Sequence, residues 1–351
     1  MSRKRKGLIA ALVVVVFLLV NHVASLVTTP LIFNRIFASE SFDPSLVPGL
    51  VDYQDIQASY PRTEFSFLSN GAKLQGYFYD NPASTKCVVF SPGISDPADG
   101  YLNWESACYD EGYDVVSFDG YGKGKSEGED MRGLPEAKED LSALLSFLNT
   151  SAWAGDPLYL LGHSQGAYAS ACVMREKPKN VKAIATISAM NSAEETVMEF
   201  ARRKVSFLAD LSWPYVTTYE RYLFDSDSFL TAVDGLNISA IPALIAQGDA
   251  DKTIPLESLS LYRHQKEISD PNAHYALFSG EQGGHESILY SLAALQYQNE
   301  VSLSLEAEEK EKGAALTKEE LRAFYQTIDD WRYSAVNPDL LKAIFTLFAA
   351  Q

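Results

Sequence analysis

The sequence predicts an α/β protein with a mostly parallel central sheet, helices on both faces and an inserted helical cap. Short β-branched runs alternate with amphipathic stretches between residues 87 and 278, as expected of a parallel sheet covered on both sides. Residues 189–240 interrupt that alternation and are rich in aromatic side chains. With 351 residues, 46% of them hydrophobic, the chain can bury one large core, which excludes a wholly disordered, collagen-like or coiled-coil protein.

The sheet is predicted to begin with a hairpin. Asn70 and Gly71 form a two-residue turn between the alternating runs 63–68 and 73–79. The strands predicted after this hairpin are residues 87–90, 114–118, 158–161, 181–187, 243–246 and 275–278. The helices predicted between them are residues 102–109, 135–149, 165–177 and 256–268.

The helical cap is predicted to occupy residues 189–240. Ser192 and Glu195 have the spacing of a capping box, which marks the start of a helix. The aromatic side chains that follow are Phe200, Phe207, Trp213, Tyr215, Tyr219, Tyr222 and Phe224. An aromatic-rich insertion of this kind is suited to cover an apolar pocket.

The N-terminus is predicted to anchor the chain in a membrane. The basic residues 3–6 precede residues 7–27, which are almost entirely apolar and would span roughly 31 Å as a helix. A cleaved signal peptide is the rival interpretation, because residues 23–25 form a small-residue cleavage site. Apolar character continues to Phe33, which favours a single-pass anchor with a cytoplasmic N-terminus and an extracytoplasmic or lumenal domain. Cleavage would instead give a secreted protein.

The domain organisation follows from these patterns. Residues 299–351 are expected to form a C-terminal helical extension, because Thr317 and Asn337 each begin a helical pattern. The predicted segments are a basic flank and signal anchor (1–33), a linker (34–62), an α/β domain (63–298) that includes the cap, and the extension (299–351).

Charge and cysteine content exclude several functions. The net charge is −17, and the basic cluster at residues 3–6 leaves the remaining chain still more acidic. Phosphate backbones would repel such a surface, so we expect no nucleic-acid partner and a monomeric domain. Cys87, Cys108 and Cys172 lack the spacing of a zinc site or a disulfide framework.

The strongest chemical signal is the pentapeptide Gly-His-Ser-Gln-Gly at residues 162–166, where a predicted strand meets a predicted helix. This context is typical of a nucleophile elbow, in which a sharp turn exposes the hydroxyl of Ser164 and flanking glycines avoid clashes. The backbone N–H of Gln165 would lie at a helix N-terminus, where it can stabilise an oxyanion. His163 is expected to be a packing residue, because neighbours at a strand end point to opposite faces.

A serine nucleophile needs a histidine base and an acid that orients it. His285 lies on a glycine-flanked loop after the last predicted strand, a position where functional side chains concentrate. Asp249 and Asp251 both follow the preceding strand, and either could supply the acid. The order serine, aspartate, histidine is the chain order of one serine-hydrolase fold.

These motifs resemble the α/β-hydrolase superfamily, which includes monoglyceride-lipase-like, serine-aminopeptidase-like and membrane-anchored members. The resemblance covers residues 63–298 and implies the α/β-hydrolase fold. The family pattern Gly-x-x-Asp falls on Gly248 and Asp251, which implies that Asp251 is the acid. The family's oxyanion turn corresponds to Gly93 and Ile94, with Pro92 in place of the usual histidine. The second oxyanion N–H is therefore expected from Ile94.

The segment 119–126 resembles a turn of the same family, with Tyr121 where arginine is usual. It also ends in Gly124-Lys125-Ser126, as a phosphate-binding loop does. Asp119 occupies the position of that loop's first glycine, and a carboxylate there would repel phosphate. Nucleotide binding is therefore not expected.

The resulting hypothesis is acyl transfer to water through a covalent intermediate on Ser164, with His285 as base, Asp251 as the orienting acid, and the N–H groups of Gln165 and Ile94 as oxyanion donors. No metal or organic cofactor is implied. A carboxylic ester is the expected substrate, either a small molecule or a lipid or other apolar acyl ester. The alternatives are a serine peptidase of the aminopeptidase-like group and a catalytically silent, membrane-tethered binding module.

Overall fold

The computed structural model describes residues 3–38, 42–94, 96–151, 153, 155–206 and 208–351. Residues 39–41 of the predicted linker and the cap residue Phe207 lie outside this described part. The strands in chain order are β1 (Arg62–Ser69), β2 (Ala72–Tyr79), β3 (Cys87–Ser91), β4 (Asp114–Phe118), β5 (Leu158–His163), β6 (Val181–Ile187), β7 (Ala243–Gly248) and β8 (Ala273–Phe278).

The strands form one eight-stranded sheet in the order β1-β2-β4-β3-β5-β6-β7-β8. β1 and β2 pair antiparallel through the predicted turn, in which Asn70 has φ 48° and Gly71 has φ 86°. These two positive φ values are those of a turn whose twist matches a hairpin. β2 pairs antiparallel with β4, and β3 to β8 run parallel. The predicted α/β-hydrolase fold class is confirmed.

The helices lie on both faces of the sheet. In chain order they are α1 (Arg3–Phe37), α2 (Tyr53–Ile56), α3 (Leu102–Asp110), α4 (Leu134–Leu148), α5 (Gln165–Cys172), α6 (Ala193–Val205), α7 (Leu208–Phe224), α8 (Ala232–Ser239), α9 (Leu292–Lys312), α10 (Lys318–Tyr325), α11 (Asp330–Tyr333) and α12 (Pro338–Ala349). One core cluster joins α4, α5 and the cap to one sheet face, and a second joins α3 and α12 to the other.

The cap contains α6, α7 and α8, which follow β6. Ser192 caps α6 as expected, since its side chain accepts a hydrogen bond from the backbone N–H of Glu195. α7 packs against α6 and also against α1. The ring of Phe33 in α1 lies edge-on to that of Tyr219 in α7, with centroids 5.2 Å apart. The N-terminal helix is therefore joined to the cap.

α1 is long and apolar enough to cross a membrane. Its candidate span, Arg5–Arg35, has a mean hydropathy of 2.6 over the most apolar window. This length and composition fit a membrane anchor, and a signal sequence would have the same properties.

The helix predicted at residues 256–268 is wrong, because only a short 3₁₀ turn, Leu261–His264, forms there. The backbone N–H of Leu261 donates to the carbonyl of Ala189, and the carbonyl of Leu259 accepts from Asn191. These bonds to the segment that enters the cap take backbone groups that a continuous helix would use internally.

The C-terminal extension is part of the core. The predicted boundary at residue 298 falls inside α9, and α12 lies on the sheet face opposite α5. Phe348 is fully buried, and its ring centroid lies 5.0 Å from that of Tyr159 in β5. α12 is therefore one of the helices that cover the sheet.

Candidate active site

The nucleophile elbow predicted from the sequence forms at the junction of β5 and α5. Ser164 has φ 54° and ψ −117°, a strained conformation for a residue with a side chain. A Cβ on Gly162 would lie 2.4 Å from the backbone of Gly166, and one on Gly166 would lie 2.0 Å from the carbonyl oxygen of Ser91. Both positions therefore require glycine, as the sharp turn between strand and helix demands.

Three side chains from separate loops meet at this turn. His285 Nε2 lies 2.9 Å from Ser164 Oγ, and His285 Nδ1 lies 2.7 Å from Asp251 Oδ2. Ser164 follows β5, Asp251 follows β7 and His285 follows β8, so the carboxyl ends of parallel strands bring them together. The imidazole can accept the serine proton at Nε2 while the carboxylate holds the proton on Nδ1.

The two candidate acids have different surroundings. Asp251 is 4% exposed, and its Oδ1 accepts hydrogen bonds from the backbone N–H groups of Thr253 and Ile254 at 2.9 and 2.8 Å. Its Oδ2 also accepts from Gln247 Nε2 at 3.0 Å. These bonds fix the carboxylate against the imidazole, whereas Asp249 lies exposed on the same loop. The geometry therefore supports Asp251 in the role that the resemblance implied.

His163 is packed in the core, as expected, but it also takes part in a hydrogen-bond chain that the sequence did not predict. Its Nε2 donates to the backbone carbonyl of His285 at 3.1 Å, so its Nδ1 accepts from the Tyr101 hydroxyl at 2.9 Å. That hydroxyl accepts from the backbone N–H of Gly93 at 3.2 Å. Burial lowers the pKa of His163 to about 3, which keeps the ring neutral.

These hydrogen bonds connect the predicted oxyanion turn with the loop of His285 through His163, the residue before Ser164. Gly93 precedes Ile94 in the predicted oxyanion turn, and His285 is the predicted base. Tyr101 and His285 are 62 and 122 residues away from His163 in sequence. The local pattern around Ser164 holds no signal for either partner.

Two further carboxyl groups belong to this part of the site, on half-buried Asp96 and on exposed Glu286, which follows His285. Desolvation and the nearby charge of Glu286 raise the pKa of Asp96 to about 6. Desolvation also raises the pKa of Glu286. Ligand atoms of Glu286, His163 and His285 lie within 4.8 Å of one another, a grouping that could hold a metal ion. All four ring nitrogens are already engaged in hydrogen bonds, so this arrangement is better suited to proton transfer than to metal binding.

A small cavity lies beside the elbow. Its volume is about 30 Å³, and Gly93, Ile94, Tyr121 and Gln165 are among its lining residues, whereas Ser164 is not. The two residues predicted to supply the oxyanion N–H groups therefore lie on one cavity.

A larger cavity, of about 580 Å³, lies away from the serine. Its lining includes Tyr53, Asp99, Asp119 and Arg322, and none of the three hydrogen-bonded side chains described above. Size therefore does not identify the reactive site in this molecule, and the side-chain chemistry does.

The loop at residues 119–126 holds a carboxylate where a phosphate would need to lie. Asp119 Oδ2 accepts from the backbone N–H of Lys125 at 2.8 Å, and a Cβ on Gly124 would lie 2.2 Å from the same oxygen. The hydroxyl of Ser126 donates to the Asp119 carbonyl at 2.6 Å. The loop is closed around its own aspartate, in agreement with the sequence argument against nucleotide binding.

Solved structures share this fold at low sequence identity. The Pyrococcus furiosus esterase Pf2001 aligns with a TM-score of 0.54 and 18% identity, covering 81% of this chain and 98% of that one. Est1E from Butyrivibrio proteoclasticus, solved with ferulic acid bound, aligns with a TM-score of 0.50 and 19% identity, covering 63% and 90%. At such identity these likenesses establish the fold alone.

The strand order and the order of the elements are those of the α/β-hydrolase fold. Residues 82–228 of the chain match the model of the family described as serine aminopeptidase, S33. A search of curated proteins by sequence finds no match.

Proposed function

We propose that the chain is a serine esterase that acts through a covalent acyl-enzyme intermediate. The observation that carries this proposal is the continuous hydrogen-bond chain from Ser164 through His285 to Asp251, at 2.9 and 2.7 Å. Ser164 Oγ attacks the ester carbonyl while His285 Nε2 takes its proton, and the imidazolium then protonates the leaving alcohol. In the second half of the reaction His285 deprotonates a water molecule, which attacks the acyl-enzyme carbonyl, releases the carboxylic acid and restores the Ser164 hydroxyl.

The negative charge on the carbonyl oxygen needs hydrogen-bond donors during both steps. We assign this role to the backbone N–H groups of Gln165, the first residue of α5, and Ile94, which follows β3. Both residues line the small cavity next to the elbow, which supports the assignment. The N-terminal end of α5 adds the positive end of its dipole.

The substrate class follows from the surroundings of the site. Ester cleavage requires only the three side chains and the oxyanion donors. The cap is rich in aromatic side chains, with Trp213 and Tyr219 packed against the core cluster, and it is joined to a helix suited to a membrane. A lipid or other apolar acyl ester is therefore the substrate that this enzyme fits best.

We further propose that α1 is retained as a single-pass anchor rather than cleaved. Phe33 and Phe37 of α1 are buried in the core cluster, so the helix continues into the folded domain. With the basic flank held in the cytoplasm, the catalytic domain would lie on the other side of the membrane.

A serine peptidase is the second candidate, favoured by the name of the family model. Such an enzyme would need an acidic group to bind the substrate amine. The buried cap residue Glu220 is not among the lining residues of the cavity beside the elbow, and its pKa is raised to about 8 by burial and by Glu194. A neutral and enclosed carboxyl group does not suit this task. Glu286 is an exposed carboxyl group at the site, and we place the ester first because ester cleavage requires no such group.

The test compares the full chain with Ser164→Ala. Each protein is treated with a fluorophosphonate probe, then with p-nitrophenyl esters from acetate to palmitate and with aminoacyl p-nitroanilides. We expect labelling and ester turnover in the wild type, with an optimum at longer acyl chains, and loss of both in the variant by at least about 10³-fold. Turnover of anilides alone would favour the peptidase, and absence of labelling in the folded wild type would refute a reactive serine.

A further inference from the structure

The helix α1 has two halves with different surroundings. Residues 5–20 are exposed on every side of the helix. In the second half, Ser25, Thr29, Phe33 and Phe37 are buried at intervals of four residues, which places them on one helix face. That face packs on the cap helix α7. The anchor is therefore docked along its second half rather than joined to the domain by a free linker.

Two polar contacts show where the docked half meets the cap. His22 Nδ1 lies 2.7 Å from the hydroxyl of Tyr215, and Ser25 Oγ lies 3.4 Å from Ser212 Oγ. Both partners belong to the first half of α7. These contacts determine the position along α1 at which the first half of α7 lies.

The level of these contacts relative to a bilayer follows from helix geometry. A hydrocarbon core of about 30 Å takes about 20 residues at 1.5 Å per residue. A span that begins at Gly7, after the basic flank, therefore ends near Leu26. His22 and Ser25 lie just before this end, so Tyr215 and Ser212 come to the boundary between hydrocarbon and headgroups.

The part of the cap at this level has the chemistry of a membrane interface. We call it the cap edge and define it as residues 202–204, at the end of α6, and residues 211–215 of α7. Its first segment carries three successive exposed basic residues in a chain whose net charge is −17, and two of them, Arg202 and Arg203, are ion-paired with Asp210 and Glu199. The second includes exposed Leu211 together with Trp213 and Tyr215, residue types that concentrate at headgroup level. Basic side chains there attract anionic lipids.

We propose that the cap edge lies in the headgroup region of a phospholipid bilayer, on the side of the membrane that carries the folded domain. The inference rests on the proposed membrane span of α1. The exposed apolar side chains Val27, Leu31 and Ile32 extend beyond the end of a perpendicular span, and a tilted helix brings them and the cap edge toward the lipid together.

The test places a fluorophore on the cap edge of the full chain. Leu211→Cys is labelled with a bimane maleimide and reconstituted in nanodiscs of phosphatidylcholine and phosphatidylglycerol, with or without lipids that carry a doxyl quencher near the headgroup. Leu303→Cys in α9 is the matched control, because Leu303 is also exposed. The three native cysteines are buried, so wild-type chain gives the labelling background.

We expect the doxyl lipid to quench the label at residue 211 at least about twofold more than the label at residue 303. Aqueous iodide should show the opposite preference. Equal quenching by doxyl lipid at both positions would overturn the proposal. Protection from iodide without doxyl quenching would also overturn it, since this result would indicate a second copy of the chain on the cap edge.

Two further measurements separate failure of this inference from failure of the proposed function. Ser25→Cys combined with Ser212→Cys should form a disulfide under mild oxidation if α1 is docked on α7 as described. Extraction by alkaline carbonate reports whether α1 is embedded in the membrane at all, and fluorophosphonate labelling reports the hydrolase site. A chain that resists extraction and is labelled, but shows no doxyl quenching at residue 211, refutes the cap edge alone.

Discussion

His163 shows how one buried side chain can couple two parts of a reactive site. Its donor nitrogen holds the backbone of His285, and its acceptor nitrogen receives the Tyr101 hydroxyl that in turn contacts Gly93. We expect the ring to hold the loop that carries His285, the proposed base, and so to act as a positioning residue.

We expect His163→Leu to lower kcat by about 10²-fold with little change in KM, because a displaced imidazole loses its alignment with Ser164 Oγ. His163→Gln should recover part of this loss, since an amide can both donate to the carbonyl and accept from the hydroxyl. Steady-state kinetics on a p-nitrophenyl ester measure both parameters. Equal kcat for wild type and His163→Leu would show that the base is positioned without this ring.

The residues of the elbow could be predicted because their signal is local. Gly162, Ser164 and Gly166 lie within five consecutive positions, and the turn requires glycine two residues before and two residues after the serine. His285 and Asp251 could be proposed from chain order and loop context. The hydrogen bonds of His163 could not, because its partners come from distant segments that only the folded sheet brings together.

At the scale of elements, the cap helix α7 carries an unusual buried acid. Glu220 is 1% exposed, and neither of its carboxylate oxygens has a hydrogen-bond partner among the residues that the structure describes. Burial, followed by the charge of Glu194, raises its pKa to about 8. The folded protein therefore retains a proton that the unfolded chain releases above the ordinary glutamate range.

This difference predicts that stability falls as pH rises from about 4.5 to 8, since the unfolded state binds fewer protons over this interval. Glu220→Gln cannot ionise, so its advantage over wild type should be small at pH 5 and reach about 1–3 kcal/mol near pH 8.5. Urea unfolding at both pH values measures this change. Glu319→Gln, at an exposed site on α10, is the control. Parallel curves for wild type and Glu220→Gln would contradict the burial argument.

Strands were easier to predict than the elements around them. Each buried strand is a short apolar run bounded by turn residues, and the hairpin at Asn70 has a sequence signature of its own. Residues 256–268 failed because their apolar spacing resembles a helix, while their backbone bonds go to the segment that enters the cap. Hydrogen bonds to a segment distant in sequence cannot be predicted from the local spacing of apolar residues.

At the scale of the whole molecule, the last helix of the chain completes the fold. α12 buries Leu340, Ile344 and Phe348 against the sheet. The sequence predicts the start of this helix from Asn337 and Pro338, but not its place beneath β5 to β7, because that place depends on which sheet face the preceding helices leave uncovered. The docking of α1 on the cap could not be predicted either, because it depends on where the folded chain places α7.

Replacement of Phe348 tests how much the C-terminal helix contributes. We expect Phe348→Ala to lower the free energy of unfolding by about 3–5 kcal/mol, since the side chain is fully buried between Tyr113 and Tyr159. Chemical denaturation measures this loss. Leu303→Ala, at an exposed site on α9, should stay within about 0.5 kcal/mol of wild type. A Phe348→Ala variant as stable as that control would show that the C-terminal helix is dispensable.

The strand order has a further consequence for how the protein tolerates changes in chain length. β8 lies three strands from β5, about 14 Å at ordinary strand spacing, so His285 reaches Ser164 only because its loop turns back across the end of β7. There the carbonyl of Gly283 accepts from the N–H of Ala250 at 2.9 Å, and its oxygen would lie 2.2 Å from a Cβ on Gly248. The number of residues in this loop therefore determines how close the imidazole of His285 comes to Ser164. A single residue inserted between Phe278 and His285 would misplace the imidazole, whereas the turn at Asn70, on the far edge of the sheet, can accept insertions without moving it.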